Sequence, residues 1–172
     1  MALADTTRRD GHGHFRVESS HCGHLVVVTP DGQVAALGDP DRVTFVRSAA
    51  KPFQAAACLE LLPDGLPSDL LAVGWASHTA EPEHLAAVTA LLALAGLRPE
   101  QVTTPSLGTG AGRLAYNCSG KHALFALAGH TLGERGPQLL DPGGSLQRHV
   151  LARLRSALGE PAGLGVDGCG AP

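Results

Sequence analysis

The sequence predicts a mixed α/β (α+β) chain, with a strand hairpin near its start and Ala/Leu-rich helices through the rest. Three observations carry this. His24-Leu25-Val26-Val27-Val28-Thr29 and Gln33-Val34-Ala35-Ala36-Leu37 are short β-prone runs on either side of Pro30-Asp31-Gly32, the pattern of a β-hairpin. Pro82 to Ala95 is a run of Ala and Leu that proline opens and Gly96 closes. From 146 to 158, Leu146, Val150, Leu151, Leu154 and Leu158 share one helical stripe, with Ser145 as cap and Gly159 behind.

The remaining elements follow in order. Residues 1–16 are polar, carry Gly and His, and read as a flexible N-terminal tail. Val43-Thr44-Phe45-Val46 reads as a short strand running into Arg47-Ser48. A helix is expected from Ala49 to about Leu62, with Ser48 as N-cap and Pro52 in its first turn, where proline is tolerated. Pro63-Asp64-Gly65 ends it. Leu70 to Ala76 is a buried apolar segment of open assignment, and Leu107 to Gly112 a glycine-rich loop. Lys121 to about His130 reads as a helix beside Cys118-Ser119-Gly120, and Val166 to Pro172 as a tight turn.

Composition removes several classes of function. The 172 residues are 44% hydrophobic but only 3% aromatic, so a core must be built from Ala, Leu and Val. A net charge of -3 supplies no basic face for a phosphate backbone, so nucleic acid is not an expected partner. The apolar runs are short and interrupted, which excludes a membrane span of helical type. Met1-Ala2-Leu3-Ala4-Asp5 has no long apolar stretch and does not read as a signal peptide. Cys22, Cys58, Cys118 and Cys169 lie far apart, as expected of reduced thiols in a cytoplasmic protein.

Arg47-Ser48-Ala49-Ala50-Lys51 is the first chemical candidate. A serine hydroxyl is a poor nucleophile without a base in hydrogen-bond reach, and three-residue spacing at a helix start brings Lys51 over the face of Ser48. The helix N-terminus favours a developing alkoxide over an ammonium, which suits a lysine acting as a neutral amine. The same spacing equally describes a capping serine beside an exposed lysine. Trp75-Ala76-Ser77-His78 is the second candidate. Adjacent side chains diverge, so a reactive Ser77 needs a base from elsewhere in the chain.

Asn117-Cys118-Ser119-Gly120-Lys121-His122 is not a phosphate-binding P-loop, because Ala115 stands where glycine is needed and His122 where Ser or Thr is needed. Gly108-Thr109-Gly110 likewise lacks the third glycine of a dinucleotide fingerprint, Arg113 standing in its place. What remains is a cysteine and a lysine beside the distant Asp167-Gly168-Cys169-Gly170 turn. Two thiolates and a third donor suit zinc, although lysine is not a usual ligand. His12, His14, His21, Cys22 and His24 crowd the N-terminus, and read as a solvated segment leading into a strand.

In chain order, Glu18-Ser19-Ser20-His21-Cys22-Gly23, Arg47-Ser48-Ala49-Ala50-Lys51-Pro52-Phe53-Gln54, Ser77-His78-Thr79-Ala80-Glu81-Pro82-Glu83-His84, Cys118-Ser119-Gly120-Lys121-His122 and Val166-Asp167-Gly168-Cys169-Gly170 resemble the type II L-asparaginases of the rhizobial inducible class. The resemblance implies a fold related to the serine β-lactamases and penicillin-binding proteins. Members of that family are longer, so residues 17–172 are expected to be the N-terminal part of a single asparaginase-like domain, incomplete at its C-terminus. It implies hydrolysis of L-asparagine to aspartate and ammonia, a Ser-Lys pair at Ser48 and Lys51, and a second reactive serine at Ser77. It also implies zinc held by Cys118, Lys121 and Cys169.

Arg47, His78 and Asp167 are the expected substrate-binding residues, Arg47 and Asp167 by charge complementarity to the α-carboxylate and α-amino groups. The family places the lysine of the Ser77-type serine beyond the matched portion, so little activity is expected of this chain alone. A glutaminase, a penicillin-recognising acylase, and a non-catalytic remnant binding zinc or an amino acid are the alternatives. Homo-oligomerisation stays open, since a shortened core leaves apolar surface exposed.

Overall fold

A computed structural model describes residues 2–62, 65–108, 112–159 and 163–172. Among them are two small antiparallel sheets and five α-helices, an α+β composition. The chain divides into two units, Met1–Phe45 and Val46–Pro172.

The first unit is two hairpins. Strand β1 (Ala2–Arg9) pairs antiparallel with β2 (Phe15–Cys22), and β3 (Leu25–Thr29) with β4 (Gly32–Leu37). The second hairpin is the one expected from sequence, with Leu25 opposite Leu37 and Thr29 opposite Gly32. The first corrects the expectation of a flexible tail over residues 1–16. Its pairing rests on polar rungs that apolar alternation does not reveal: Thr6 to Ser19 at 2.6 Å, Ser20 to Asp5 at 2.5 Å, and Arg8 to Glu18 at 3.2 Å. Its turn is held by Asp10, whose carboxylate accepts the N–H groups of His12 and His14 and the guanidinium of Arg16. Val43 and Phe45 are exposed and belong to no strand, contrary to the strand expected there, because no partner edge reaches them among the described residues.

The second unit is helical. Arg47–Ala50 is a turn of 3-10 helix that leads into α1 (Lys51–Leu59), with Pro52 in the first turn. Ser48 therefore lies inside the 3-10 turn and does not cap α1; Ala50 occupies the capping position and contributes no side-chain bond. The expected stop at Pro63-Asp64 falls outside the described residues. The apolar segment left open by the sequence is α2 (Ser68–Trp75). Helix α3 (Pro82–Leu94) begins with a reciprocal cap between Glu81 and His84 and ends before Gly96, whose φ of +70° suits glycine. Helix α4 (Ser119–Thr131) starts two residues earlier than its sequence pattern suggests. Helix α5 (Ser145–Leu158) is capped from outside, the Glu134 carboxylate receiving the Ser145 and Leu146 N–H groups. No helix among the described residues is long and apolar enough to cross a membrane.

Helix α4 lies at the middle of this unit. Nearly every residue from Ser119 to Gly129 is buried, so it has no polar face and little amphipathic signal. One cluster packs Ala57 and Cys58 of α1 and Leu146 and Val150 of α5 with Leu124, Phe125 and Leu139. A second joins Leu70 and Val73 of α2 and Val88, Leu91 and Leu92 of α3 with Ala123. Each fully buried Leu or Phe stabilises the unit by about 1.5–3 kcal/mol. Small residues permit the close approach: a Cβ on Gly120 would collide with the backbone of Val73, and one on Gly129 with Leu139. Packing on all sides fixes the N-terminal turn of α4, where Cys118, Ser119 and Lys121 cluster.

Candidate active site

The chain has only two lysines, and both are buried, Lys51 at 3% exposure and Lys121 at 2%. Lysine is almost never fully buried without a partner. Lys51 finds its acceptors where α2 ends. Its Nζ donates to the Ala76 carbonyl oxygen at 2.8 Å and to Ser77 Oγ at 2.7 Å. The carbonyls that end a helix carry partial negative charge, so the end of α2 draws the ammonium inward.

This corrects the pairing expected from the three-residue spacing. Ser48 is exposed, and its hydroxyl makes no hydrogen bond among the described residues. It also answers the expectation that Ser77 finds a lysine only beyond this chain. Ser77 is exposed and its hydroxyl rests on a buried lysine, an accessible oxygen over a protected nitrogen. Arg47 and Ala80, at φ of 52° and 63°, are the non-glycine residues of positive φ among those described. They flank the two serines, and such positions store about 1–3 kcal/mol of strain that surrounding structure must hold.

His78 is 4% exposed, and both ring nitrogens are engaged. Nδ1 accepts the Ala80 N–H at 3.2 Å, and Nε2 lies 2.8 Å from Ser119 Oγ. The Ser119 proton goes to the Leu114 carbonyl at 2.8 Å, so Ser119 Oγ receives the Nε2–H. This network specifies the neutral imidazole. Burial, with the neighbouring His84 and Lys51 charges, pushes its pKa below 6.5 in agreement. His78 therefore offers no free nitrogen to a substrate, which departs from the substrate-binding role expected for it.

Lys121 and Cys169 are in contact, and Cys118 is electrostatically coupled to both. Lys121 Nζ donates to Cys169 Sγ at 3.2 Å, lies 3.5 Å from Asp167 Oδ2, and sits 5.6 Å from the centre of the Phe125 ring. Asp167 Oδ1 accepts the Cys169 N–H at 2.8 Å, its thiol at 2.7 Å and the Ala171 N–H at 3.3 Å. Burial raises the Asp167 pKa, but these bonds and the Lys121 charge outweigh it and the net shift is down.

The two thiols are coupled. The neighbouring Cys169 thiol, opposed by burial and reinforced by the Lys51 and Lys121 charges, lowers Cys118 to about 6. The same pairing, with burial, pushes Cys169 up to about 12. The Lys51 charge also acts on Cys118, so the Ser77–Lys51 pair and the cysteine cluster are electrostatically coupled.

Several site residues carried no separate signal in the sequence. Ser119 is fully buried under His78, and Tyr116 donates to the Gly168 carbonyl at 3.0 Å, tying the Asp167–Cys169 turn to the entry of α4. His122 is 1% exposed. Its Nδ1 pairs with Thr103 Oγ1 at 2.7 Å, and its Nε2 is buried without a hydrogen-bond partner among the described residues. Only the motif Cys118-Ser119-Gly120-Lys121-His122 marked this turn. Arg47 is exposed, and part of the loop over Leu107 to Gly112 lies outside the described residues. Among the described residues no three His, Cys, Asp or Glu side chains are grouped to hold a metal. A metal at Cys118 and Cys169 would therefore need Lys121 as a neutral amine donor, and the lowered Cys118 pKa suits such a cation.

A family profile described as L-asparaginase II matches residues 9–172. No curated protein matches the chain.

Proposed function

This chain belongs to the L-asparaginase II family, and from that premise we propose that it is an amidohydrolase that cleaves L-asparagine to L-aspartate and ammonia, with Ser77 as nucleophile and Lys51 as its base. The observation that carries this reading is the 2.7 Å hydrogen bond between a buried lysine and an exposed serine. In the amine form Lys51 takes the Ser77 proton as Oγ attacks the side-chain amide carbon. The proton passes to the departing nitrogen, ammonia leaves, and an aspartyl ester remains on Ser77. Water then adds to the ester carbonyl and gives a proton to Lys51, which returns it to Ser77 Oγ as the ester C–O bond breaks and aspartate is released. Ser48, one helical turn before Lys51, is the second candidate nucleophile, and the absence of a bond to Lys51 ranks it behind Ser77.

Arg47, exposed near Ser48, suits the substrate α-carboxylate; Asp167, half exposed beside Lys121, suits the α-ammonium. Zinc held by Cys118, Lys121 and Cys169 belongs to the same reading. When bound it would supply a fixed positive charge beside the Ser77–Lys51 pair. The serine β-lactamase-like fold is likewise part of it.

The test is ammonia release from L-asparagine by the 172-residue chain and by Ser77→Ala, Lys51→Met and Ser48→Ala variants. Loss of about 100-fold or more is expected for the first two, in line with removal of a nucleophile or a general base. Full activity in Ser77→Ala would move the nucleophile to Ser48. Turnover of L-glutamine or a β-lactam in place of L-asparagine would change the substrate class.

A further inference from the structure

We infer that His78 and Ser119 form a positioning pair, which docks the Ser77 segment on the first turn of α4 and thereby holds the Ser77 hydroxyl on Lys51. The pair lies wholly within the protein, His78 at 4% exposure and Ser119 at zero. The Ser77–His78 segment leaves α2 at Ala76 and turns at Ala80. Three sets of bonds hold it. Lys51 takes the Ala76 carbonyl and the Ser77 hydroxyl from one side. On the other side the His78 N–H donates to the Asn117 carbonyl at 3.2 Å, and His78 Nε2–H donates to Ser119 Oγ at 2.8 Å. The third is the Ala80 N–H on Nδ1, which closes the turn around the imidazole.

The geometry excludes a direct role in proton transfer for His78. Nδ1 and Nε2 are both committed, and neither bonds to Ser77. What the imidazole does is fix where its neighbour stands. Ser77 is exposed, and apart from Lys51 its side chain has no hydrogen-bond partner among the described residues. Its position is therefore set by the flanking anchors, and His78 is the buried one. Removing the imidazole leaves Ser119 Oγ with the Leu114 carbonyl alone and the Ala80 N–H without its acceptor, and frees the Ala80 turn to leave its positive-φ conformation. Ser77 then loses its buried anchor beside Lys51.

The two lysines provide the measurement, because each reports on its own half of the network. Acetic anhydride labelling, read by peptide mass spectrometry, gives the reactivity of Lys51 and Lys121 in one experiment. His78→Ala and Ser119→Ala are expected to raise Lys51 labelling about tenfold, the equivalent of one buried hydrogen bond, while Lys121 stays protected. His78→Gln, whose amide N–H reaches where Nε2–H does, is expected to restore most of the protection. Unchanged Lys51 labelling in both alanine variants overturns the inference. So does an equal rise at Lys51 and Lys121, which assigns the pair to the stability of the whole unit.

The inference bears on catalysis through the proposed role of Ser77, and a second readout separates the two. A fluorophosphonate serine probe should phosphonylate Ser77, with loss of fluoride, in the parent chain and in His78→Gln, and do so much more slowly in His78→Ala. An unlabelled Ser77 in the parent, with Lys51 behaving as stated, sinks the nucleophile assignment and leaves the positioning pair standing.

Discussion

The change of Gly120 to alanine sets two physical effects against each other with opposite signs. Gly120 is the second residue of α4 and is buried. By helix propensity alone, alanine in place of glycine stabilises by up to about 1 kcal/mol. The packing opposes it. A Cβ at this position would stand 2.7 Å from the Val73 carbonyl carbon and 3.2 Å from Val73 Cγ2, with the carbonyl oxygen closer still, where ordinary contact begins at 3.4 Å. The obstacle is the backbone of α2, which has no rotamer to escape into, so α2 and α4 must separate.

Overpacking of this kind costs about 1–3 kcal/mol and more where backbone is involved. The net expectation is destabilisation by about 2 kcal/mol. For a chain of this size that lowers Tm by about 4–8 °C. Thermal and urea unfolding of Gly120→Ala beside the parent chain measure it. Gly120 lies between Ser119 and Lys121, so the same displacement should expose Lys51 and Lys121 to acetylation. A Tm equal to or above that of the parent would refute the close α2–α4 contact and the site geometry that depends on it.

Three other outcomes are expected. His78 has its folded-state pKa below 6.5, so as pH falls through about 6.5 the unfolded chain gains a proton that the folded chain does not, and stability declines. The decline in urea midpoint between about pH 7.5 and about pH 5.5 should be shallower in His78→Gln, and an identical slope would remove His78 from the linkage. Fluorophosphonate labelling should fall on Ser77 and spare Ser48; the reverse pattern would restore the Ser48–Lys51 pair. Zinc, measured by atomic absorption after equilibration, should bind about one per chain and be lost in Cys118→Ser and Cys169→Ser. Uptake that survives both substitutions would place the metal elsewhere.

The hairpin at residues 24–37 and the helices from Pro82 and Ser145 were legible in the sequence, because each is specified by local chemistry. Turn residues, proline at a helix start, glycine at its end and an apolar stripe act over a few positions, and nothing distant reverses them. Motif order singled out Ser77, Cys118, Lys121 and Cys169; the structure brings Lys51 to Ser77 and Lys121 to Cys169. Helix α4 was clear only in part, since burial on every side removes the periodicity that marks a helix with one wet face. The β1–β2 hairpin was hidden for the opposite reason, its rungs being polar pairs between residues far apart in the chain.

Spacing placed Lys51 over Ser48 because it counts residues along one helix. It has no knowledge of where α2 ends, and it was the Ala76 carbonyl and the Ser77 hydroxyl, more than twenty positions away, that took the buried ammonium. The same holds for His78, whose Nε2 partner, Ser119, lies forty-one positions away in the chain. What the sequence by itself determined is which chemical groups are present and which short segments fold alike wherever they are. The partner of each buried charge was decided by the tertiary structure, because a buried charge must pair with whatever acceptor the packing brings within about 3 Å.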